Sequence, residues 1–458
     1  MVRPRVERIM SLATSSDGRS SRAAAVSGIL LAVISLLGTH GLAAQNFPQP
    51  LFQAPFSFPN PGARSLGFGG AFVALADDAT ASVANPAGLV QLLDPEVSLD
   101  VRLWDYSTRY TRGGRISGAP TGRGLDDTEG LRFADSSDRL TGLSFLSYVY
   151  PKKRWSLAFH RHLQGNFEST AETQGLFRDS ETGVPRITDQ RTSSDFELLT
   201  YGVSVGYKVS DTFSVGVGLT YFEGALALES ATYARDDDSP DSLFDPISYL
   251  PQRIMVAQLL AVDDTDWGVN AGVLWKLSQA WSLGAVYRQA PTFDFSGYGV
   301  AGPANTLGFT PGETLPFGFL VDLSLPNGYG LGVAYRAPSG RSTVSFEWDR
   351  IQYADVADSL ELDDQVVDDA NELRIGGEYV FLDSTPVVAV RLGAWIEPDR
   401  LVRGNGTDPI VDALLPAGDD EVHYAAGLGV AFETFQIDVG VDLSAPANTV
   451  SVSAVFSL

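Results

Sequence analysis

Carboxylates, histidines and arginines are the side chains that could do chemistry in this chain, because the sequence contains no cysteine. Disulfides, zinc–thiolate centres and cysteine nucleophiles are therefore excluded. His160 and His162 are two residues apart, so a strand would place both on one face, as a pair of metal ligands requires. No third ligand accompanies them, and the glycine-rich stretch at 67–70 lacks the Lys-Ser/Thr of a phosphate-binding loop. We predict no metal site, no cofactor and no enzymatic activity.

Acidic residues cluster at 236–238, 263–266 and 363–369, all in or beside predicted outer loops. These clusters either solvate the surface or bridge to lipopolysaccharide through calcium or magnesium. The formal net charge of the chain is −24. So acidic a protein repels nucleic acid, and we predict no nucleic-acid partner.

The N-terminus has the features of a secretory signal peptide. An arginine-containing segment precedes a short apolar core at 23–37, and small residues at 41–44 offer a cleavage site. The core is shorter than the ~20 residues that a membrane-spanning helix needs. We predict a signal peptide at 1–44, followed by a mature chain that starts near Gln45.

From Val97 to Leu458, segment after segment alternates apolar and polar residues. In 435–444, for example, Phe435, Ile437 and Val439 share one face while polar residues and glycine share the other. Period two indicates strands with one apolar and one polar face. Aromatic residues at segment ends, segments long enough to cross a bilayer and the signal peptide favour a membrane barrel over a soluble sandwich.

We count fourteen strands, and bacterial single-chain barrels require an even number. The segment 313–338 is ambiguous, because Pro326-Asn327-Gly328 could be a hairpin turn that would split it into two strands. We favour one long, interrupted strand. Short links are expected on the periplasmic side, and the longest loops, on the outer side, are predicted at 112–138, 170–191, 234–265 and 298–316.

Some cations lie opposite the apolar face of their strands and should therefore face the lumen. They can hold a ligand carboxylate in a pocket of low dielectric, or they can pair with acidic residues of the lumen. The sequence leaves both roles open. The cations are Lys208, Arg336, Arg374 and Arg391, and the candidate acidic partners are Glu378, Asp438 and Asp442.

Residues 45–96, before the first strand, are rich in proline, glycine and alanine and lack period two. Short helical turns are predicted at 71–76 and 80–84, ended by Pro86. This stretch resembles the N-terminal hatch of the FadL-type outer-membrane transporters. The matching elements are Gly62-Ala63-Arg64, Gly67-x-Gly69-Gly70-Ala71, Ala76-Asp77-Asp78-Ala79 and Asn85-Pro86-Ala87, with LPNGYGLGVAYR (325–336), NELRIGGEYVF (371–381), AWIEP (394–398) and HYAAGLGVAF (423–432) in the C-terminal third.

The resemblance implies an all-β fold, a fourteen-stranded antiparallel transmembrane barrel at 97–458 whose lumen is plugged by the hatch at 45–96. It also implies that an apolar ligand leaves sideways through a gap beside a kinked early strand when the hatch moves. Gly69, Gly70, Asn85, Pro86 and Ala87 are the predicted hatch residues. Phe68, Phe72 and Leu75 either contact the ligand or form the hatch's own small core.

We therefore expect passive, hatch-gated uptake of long-chain fatty acids or aromatic hydrocarbons across a bacterial outer membrane. Expected contacts are the hydrophobic ligand, outer-membrane lipid and lipopolysaccharide, and the protein is expected to be a monomer. A sister group of PorV-like barrels shares the hatch motif, so the alternative function is that of an interaction component in protein secretion. A generic diffusion porin would conduct ions without movement of the hatch.

Overall fold

The computed structural model describes residues 60–179, 183, 185–187, 189–237, 239–301, 315–359 and 364–458. The predicted signal peptide, 1–44, and the first part of the predicted hatch, 45–59, lie outside these residues. In the described part of the chain, no helix combines the length and the apolar character needed to span a bilayer.

Fourteen antiparallel strands form one closed ring among the described residues. The ring closes because β1 pairs with β14, from Glu96 opposite Ser457 to Tyr106 opposite Ala447. Closure leaves no open sheet edge at this seam, as a bilayer demands. The predicted fold class is confirmed. The strands are β1 Glu96–Arg115, β2 Leu131–Pro151, β3 Trp155–Thr173, β4 Asp189–Lys208, β5 Phe213–Tyr233, β6 Ile254–Lys276, β7 Trp281–Arg288 with Thr292–Ala301, β8 Leu315–Ser324 with Gly328–Arg336, β9 Ser342–Ile351, β10 Ala370–Phe381, β11 Val387–Glu397, β12 Glu421–Ala431, β13 Phe435–Leu443 and β14 Ala447–Ser457.

Shorter elements decorate the ends of the barrel. Two helices lie in the outer connections, at Ala354–Ser359 and Pro409–Leu414, and two 3-10 turns lie at Asp241–Leu243 and Pro251–Arg253. Two-residue strands occur at Leu176–Phe177, Arg186–Ile187, Gln365–Val366 and Arg403–Gly404.

The faces of the strands are inverted relative to those of a soluble protein. On β10, Leu373 and Ile375 are exposed to the surroundings, whereas Glu372 and Arg374 are buried inside the ring. Period two along the strand produces this separation, and only a hydrocarbon environment favours apolar side chains on the outside. The apolar stripe read from the sequence is therefore the lipid-facing surface.

Aromatic pairs mark both rims of this surface. Near the outer rim, the rings of Tyr221 and Trp267 lie 5.0 Å apart. Near the periplasmic rim, Trp281 and Tyr335 lie 4.9 Å apart. Such amphipathic rings favour the bilayer interface, which fixes the depth of the barrel.

The ambiguous segment 313–338 is one interrupted strand, as predicted. Leu315–Ser324 pairs with the outer part of β7, and Gly328–Arg336 pairs with the inner part of β7 and with β9. The predicted lengths of the outer loops were wrong, because several strands run further outwards: β6 begins at Ile254, so Asp263 and Asp264 lie on a strand. Beyond the membrane both faces of a strand meet water, so the ladder continues while the apolar alternation stops.

We call residues 60–95 the plug. It contains the helices Ala63–Gly67 and Ala81–Ala84 and a 3-10 helix at Pro86–Gln91, all inside the lumen against the wall. Wall glycines let its backbone come close: a Cβ atom on Gly376 would lie 1.9 Å from the carbonyl oxygen of Phe68. The plug is thus fitted to the wall backbone to backbone at this point.

Candidate functional site: a plugged lumen with a gap in its wall

A cavity lies in the lumen on the outer side of the plug. Its volume is about 80 Å³. One wall is polar and charged, another carries two histidines, and apolar side chains cover the outer part. The lining includes Asn60 and Ser82 of the plug, His160 and His162 of β3, Phe222 of β5, Arg288 and Ala290 beside β7, Glu347, Asp349 and Ile351 of β9, and Glu372 and Arg374 of β10.

An apolar cluster of buried residues adjoins this cavity, and Phe222 and Ala290 belong to both. Phe293 and Phe295, fully buried with ring centroids 5.4 Å apart, are its centre. An aromatic, water-free lining inside a barrel suits an apolar ligand and does not suit an aqueous channel. We call it the lumen apolar cluster; it consists of Phe196, Leu198, Phe222, Leu226, Leu228, Phe293, Phe295, Leu323, Leu325 and Val356, with Val262 and Ala290 packed against it.

Sequence reasoning missed the lumen apolar cluster, because it assigned polar residues to the lumen face. A signal was available at Phe196-Glu197-Leu198-Leu199, where apolar residues occupy both faces of the strand. Such a break in the alternation indicates that the lumen face is apolar locally.

Phe68, Phe72 and Leu75 are buried in the plug's own core. They pack with plug alanines and with Ala334 of β8, and none of the three lines the central cavity. Their position corresponds to the second of the two roles considered from the sequence. Leu75 also borders a recess on the periplasmic side, which Arg336 shares.

Arg336 and Arg64 hold the plug from the periplasmic side through one carboxylate. Arg336 Nη2 lies 2.6 Å from Asp77 Oδ2, and Arg64 Nη1 lies 2.6 Å from Asp77 Oδ1. Burial alone would raise the pKa of Asp77, but the two guanidiniums hold it well below its ordinary value. Arg64 also contacts Glu378 of β10 at 3.3 Å, so the cluster ties the plug to the wall.

Arg391 and Arg374 are buried in the lumen and paired with acidic side chains. Arg391 contacts Glu378 at 2.7 Å and Asp438 at 2.6 Å. Arg374 contacts Asp349 at 3.2 Å and is also bonded to Glu372. Pairing with lumen acids is thus the arrangement in this structure.

The other two residues named in the lumen charge pattern have different partners. Lys208 pairs with Asp211 in a periplasmic turn at 2.9 Å. Asp442 pairs with His423: Oδ2 of Asp442 lies 3.0 Å from Nδ1 of His423.

Asn85 joins two parts of the plug to the wall. Its Oδ1 accepts from the backbone N–H of Ala87 at 3.1 Å, which caps the 3-10 helix that starts at Pro86. Its Nδ2 donates to the carbonyls of Val73 at 2.9 Å and Val273 of β6 at 3.0 Å. The Asn-Pro-Ala motif is therefore a cap and an anchor at once.

Gly69 and Gly70 form the tight turn after the first plug helix. Their φ angles are +69° and +75°, in the left-handed region that favours glycine. This turn leads the chain from the helix into the segment that carries Phe72.

The backbone ladder of the barrel wall is interrupted between β2 and β3, and we call this interruption the gap. The two strands pair only from Phe145 opposite His162 to Pro151 opposite Ser156. Beyond that point β2 continues alongside β1, and β3 continues alongside β4. The guanidinium of Arg161 donates to the carbonyl of Leu143 at the edge of the gap.

A bulge turns β3 away from β2 at this place. The register with β4 shifts between Leu163 and Gly165, and beyond it β3 reaches β1. The Tyr106 hydroxyl donates to the carbonyl of Glu168 at 2.5 Å, and its ring stacks on Phe167 with centroids 5.3 Å apart. Gly165 was a possible sequence signal, because an isolated glycine in a strand often marks a bulge.

A family model described as outer membrane protein transport protein (OMPP1/FadL/TodX) matches residues 56–446. No curated protein matches the chain in sequence. Three solved structures resemble its fold: a Pseudomonas aeruginosa FadL homologue (17% identity, 87% of this chain and 98% of that one, TM-score 0.60), the P. putida toluene transporter TodX (16%, 88% and 99%, 0.59) and the Ralstonia pickettii toluene transporter TbuX (16%, 88% and 100%, 0.53).

Proposed function

The chain belongs to the outer membrane transport protein family (OMPP1/FadL/TodX), and on that premise we propose that it is a passive, plug-gated channel for hydrophobic small molecules. Its place is the bacterial outer membrane. Family membership in a transport family does not favour the alternative role in protein secretion, and it gives no reason to expect an enzyme.

The observation that carries the proposal is a connected series of apolar and open regions through the barrel. The lumen apolar cluster adjoins the cavity, and His160 and His162 of the cavity lie on the last paired stretch of β3 before the gap. An apolar molecule could enter the cluster from outside, pass through the cavity and leave into the membrane. Such a route never exposes it to the wet periplasm, which favours hydrophobic cargo.

The plug provides the gate in this proposal. It fills the lumen on the periplasmic side, and its ties to the wall include the Arg336–Asp77 ion pair, the Asn85 amide and the hydrogen bond from Arg288 to the carbonyl of Ala84. A ligand in the cavity would contact Asn60 and Ser82 of the plug directly. Binding can therefore bias the position of the plug without any energy-coupling component.

A reversible lock across the gap tests the route. A Cβ atom on Gly142 of β2 would lie 3.2 Å from Cδ2 of Leu163 on β3, which places Gly142→Cys and Leu163→Cys next to each other across the gap, and titration of free thiols after oxidation shows that they are bridged. The chain has no native cysteine to interfere. We expect whole-cell uptake of labelled toluene or oleate to fall on oxidation and to recover on reduction.

The control is Tyr148→Cys with Phe159→Cys, a facing pair on the lipid side of the intact stretch of the wall. Oxidation of this pair should leave uptake unchanged. Equal uptake by the oxidised and reduced gap variant would contradict lateral exit, and absence of uptake by the unmodified protein would contradict the proposed function.

A further inference from the structure

We propose that the central cavity binds apolar compounds whose head carries a hydroxyl, such as phenols and alcohols, in preference to carboxylates and bare hydrocarbons. This inference rests on the proposed function, because it assigns a ligand class to the cavity of that channel. The head of the ligand would meet a polar wall of the cavity. This wall is made by β9, by β10 and by Arg288 at the end of the inner part of β7.

The charge of that wall is unfavourable to an anion. Three carboxylates, Glu347, Asp349 and Glu372, and two guanidiniums, Arg288 and Arg374, line the cavity. With each carboxylate counted as −1 and each guanidinium as +1, the wall carries a formal net charge of −1. A ligand carboxylate would add a second one in a region of low dielectric, where repulsion between like charges is strong.

The two cations of the wall already have partners. Arg374 is bonded to Glu372 and lies 3.2 Å from Asp349. Arg288 donates to the plug carbonyl of Ala84 at 2.7 Å and lies 3.6 Å from the other oxygen of Asp349. A ligand carboxylate would have to compete with these carboxylates for the same donors, so the wall is not built to receive it.

Two oxygens of this wall have no hydrogen-bond donor among the described residues. They are Oε1 of Glu372 and Oδ1 of Asp349, and both are buried. A buried acceptor without a donor is costly, so a ligand that supplies a donor gains more than a ligand without one. A bare hydrocarbon would leave both oxygens unpaired.

The rest of the surroundings agrees with a neutral, amphiphilic ligand. His160 Nδ1, on the opposite wall, also lacks a partner among the described residues, and a hydroxyl can serve either tautomer because it both donates and accepts. Arg102 is buried behind Asn60, 3.8 Å from Asp100, and does not line the cavity. The apolar body of the ligand would lie against Phe222 and the lumen apolar cluster.

Three matched ligands test this inference: toluene, 4-methylphenol and 4-methylbenzoate. Binding to the full chain in lipid nanodiscs is measured by equilibrium dialysis, with empty nanodiscs as the blank. We expect 4-methylphenol to bind about tenfold more tightly than either of the others, which is the selectivity of one well-placed hydrogen bond.

Equal or tighter binding of 4-methylbenzoate, or equal binding of toluene, would overturn the inference and leave the channel function in place. Binding of none of the three would also overturn it. The channel function has its own test in the cysteine lock, so the two failures are distinguishable.

Substitutions in the wall provide the second measurement. Glu372→Gln removes the negative charge and weakens the acceptor, so 4-methylphenol should lose about tenfold in affinity while 4-methylbenzoate gains. Asp349→Asn is the second variant, because it keeps the bond between Glu372 and Arg374. The control is Asp383→Asn, which lies in an exposed periplasmic ion pair with Arg341. An unchanged order of affinities in a folded Glu372 or Asp349 variant contradicts the assignment.

Discussion

The guanidinium of Arg336, at the periplasmic end of β8, donates to a carboxylate oxygen of Asp77 in the plug over 2.6 Å. Arg64, a plug residue, donates to the other oxygen of the same carboxylate. One acidic side chain therefore receives a cation from the wall and a cation from the plug, and it is the common point of attachment.

Asp77→Ala should loosen the plug more than Arg336→Ala does. Removal of Asp77 takes one charge-assisted hydrogen bond from Arg336 and one from Arg64, which keeps Asp78 and Glu378, and this loss should cost about 1.5–3 kcal/mol. Arg336 is nearly half exposed, and its loss should cost roughly 0.5 kcal/mol. Ion conductance in planar bilayers should rise most for Asp77→Ala. Arg341→Ala, in an exposed periplasmic ion pair, is the control, and an equal conductance in all three variants argues against the attachment.

Adjacent glycines on β10 offer a matched test of plug docking. A Cβ atom on Gly376 would lie 1.9 Å from the Phe68 carbonyl, whereas one on Gly377 would lie 3.8 Å from its nearest neighbour. Gly376→Ala should destabilise the docked plug by about 1–3 kcal/mol, since overpacking forces the backbone apart. Hydrogen exchange at Ala63–Gly67 should accelerate in Gly376→Ala alone. The same acceleration in Gly377→Ala would mean that the close contact is not the cause.

Asn85→Ala should free the segment that follows it. The change removes the cap on Ala87 and both bonds to the carbonyls of Val73 and Val273, and loss of such a cap costs about 1–2 kcal/mol. Amide exchange at residues 87–91 should therefore be faster. Asn448→Ala, an exposed position at the outer end of β14, should have no such effect. If the amides of this segment stay protected from exchange in Asn85→Ala, the surrounding packing and not Asn85 anchors the segment.

Tyr106→Phe tests whether the Tyr106 hydroxyl fixes the position of β3 beyond its bulge. The variant keeps the stacking on Phe167 and loses the hydroxyl that bonds to the backbone of Glu168, a loss of about 1 kcal/mol. Exchange at Phe167 and Glu168 should increase, and labelled-ligand uptake should change with it if this part of β3 borders the exit. Tyr110→Phe, on the same strand, is the control. Unaltered exchange in Tyr106→Phe would show that stacking alone holds β3.

The alternation of residue types predicted the barrel and the inward direction of its arginines. Arg374 and Arg391 do lie buried in the lumen, as their strand positions indicate. Which acidic residue each one contacts depends on the register between strands, and alternation does not determine it. Glu378 stands directly opposite Arg391 because of the pairing of β10 with β11.

Two features of the site were beyond sequence reasoning for physical reasons. The gap follows from one bulge beside Gly165, but the chain has 46 glycines, so a single one carries little information. The outer ends of the strands lack apolar alternation because water contacts both faces there. The lumen apolar cluster combines residues of β4, β5, β7 and β8 with Leu325 and with Val356 of an outer helix, and the pairing of these neighbouring strands brings them together.

The first plug helix contacts strands that are the last to be made. A Cβ atom on Gly67 would lie 2.7 Å from the Cα atom of Gly427 on β12, and the helix also packs on β13 and β14. A segment threaded through so tight a space cannot be inserted into a finished cylinder. This contact implies an order of assembly. The N-terminal segment folds back first, the C-terminal strands then close around it, and β14 pairs with β1 last. A truncated chain that lacks β12 to β14 would leave this helix without its seat, and it would be a substrate for periplasmic quality control.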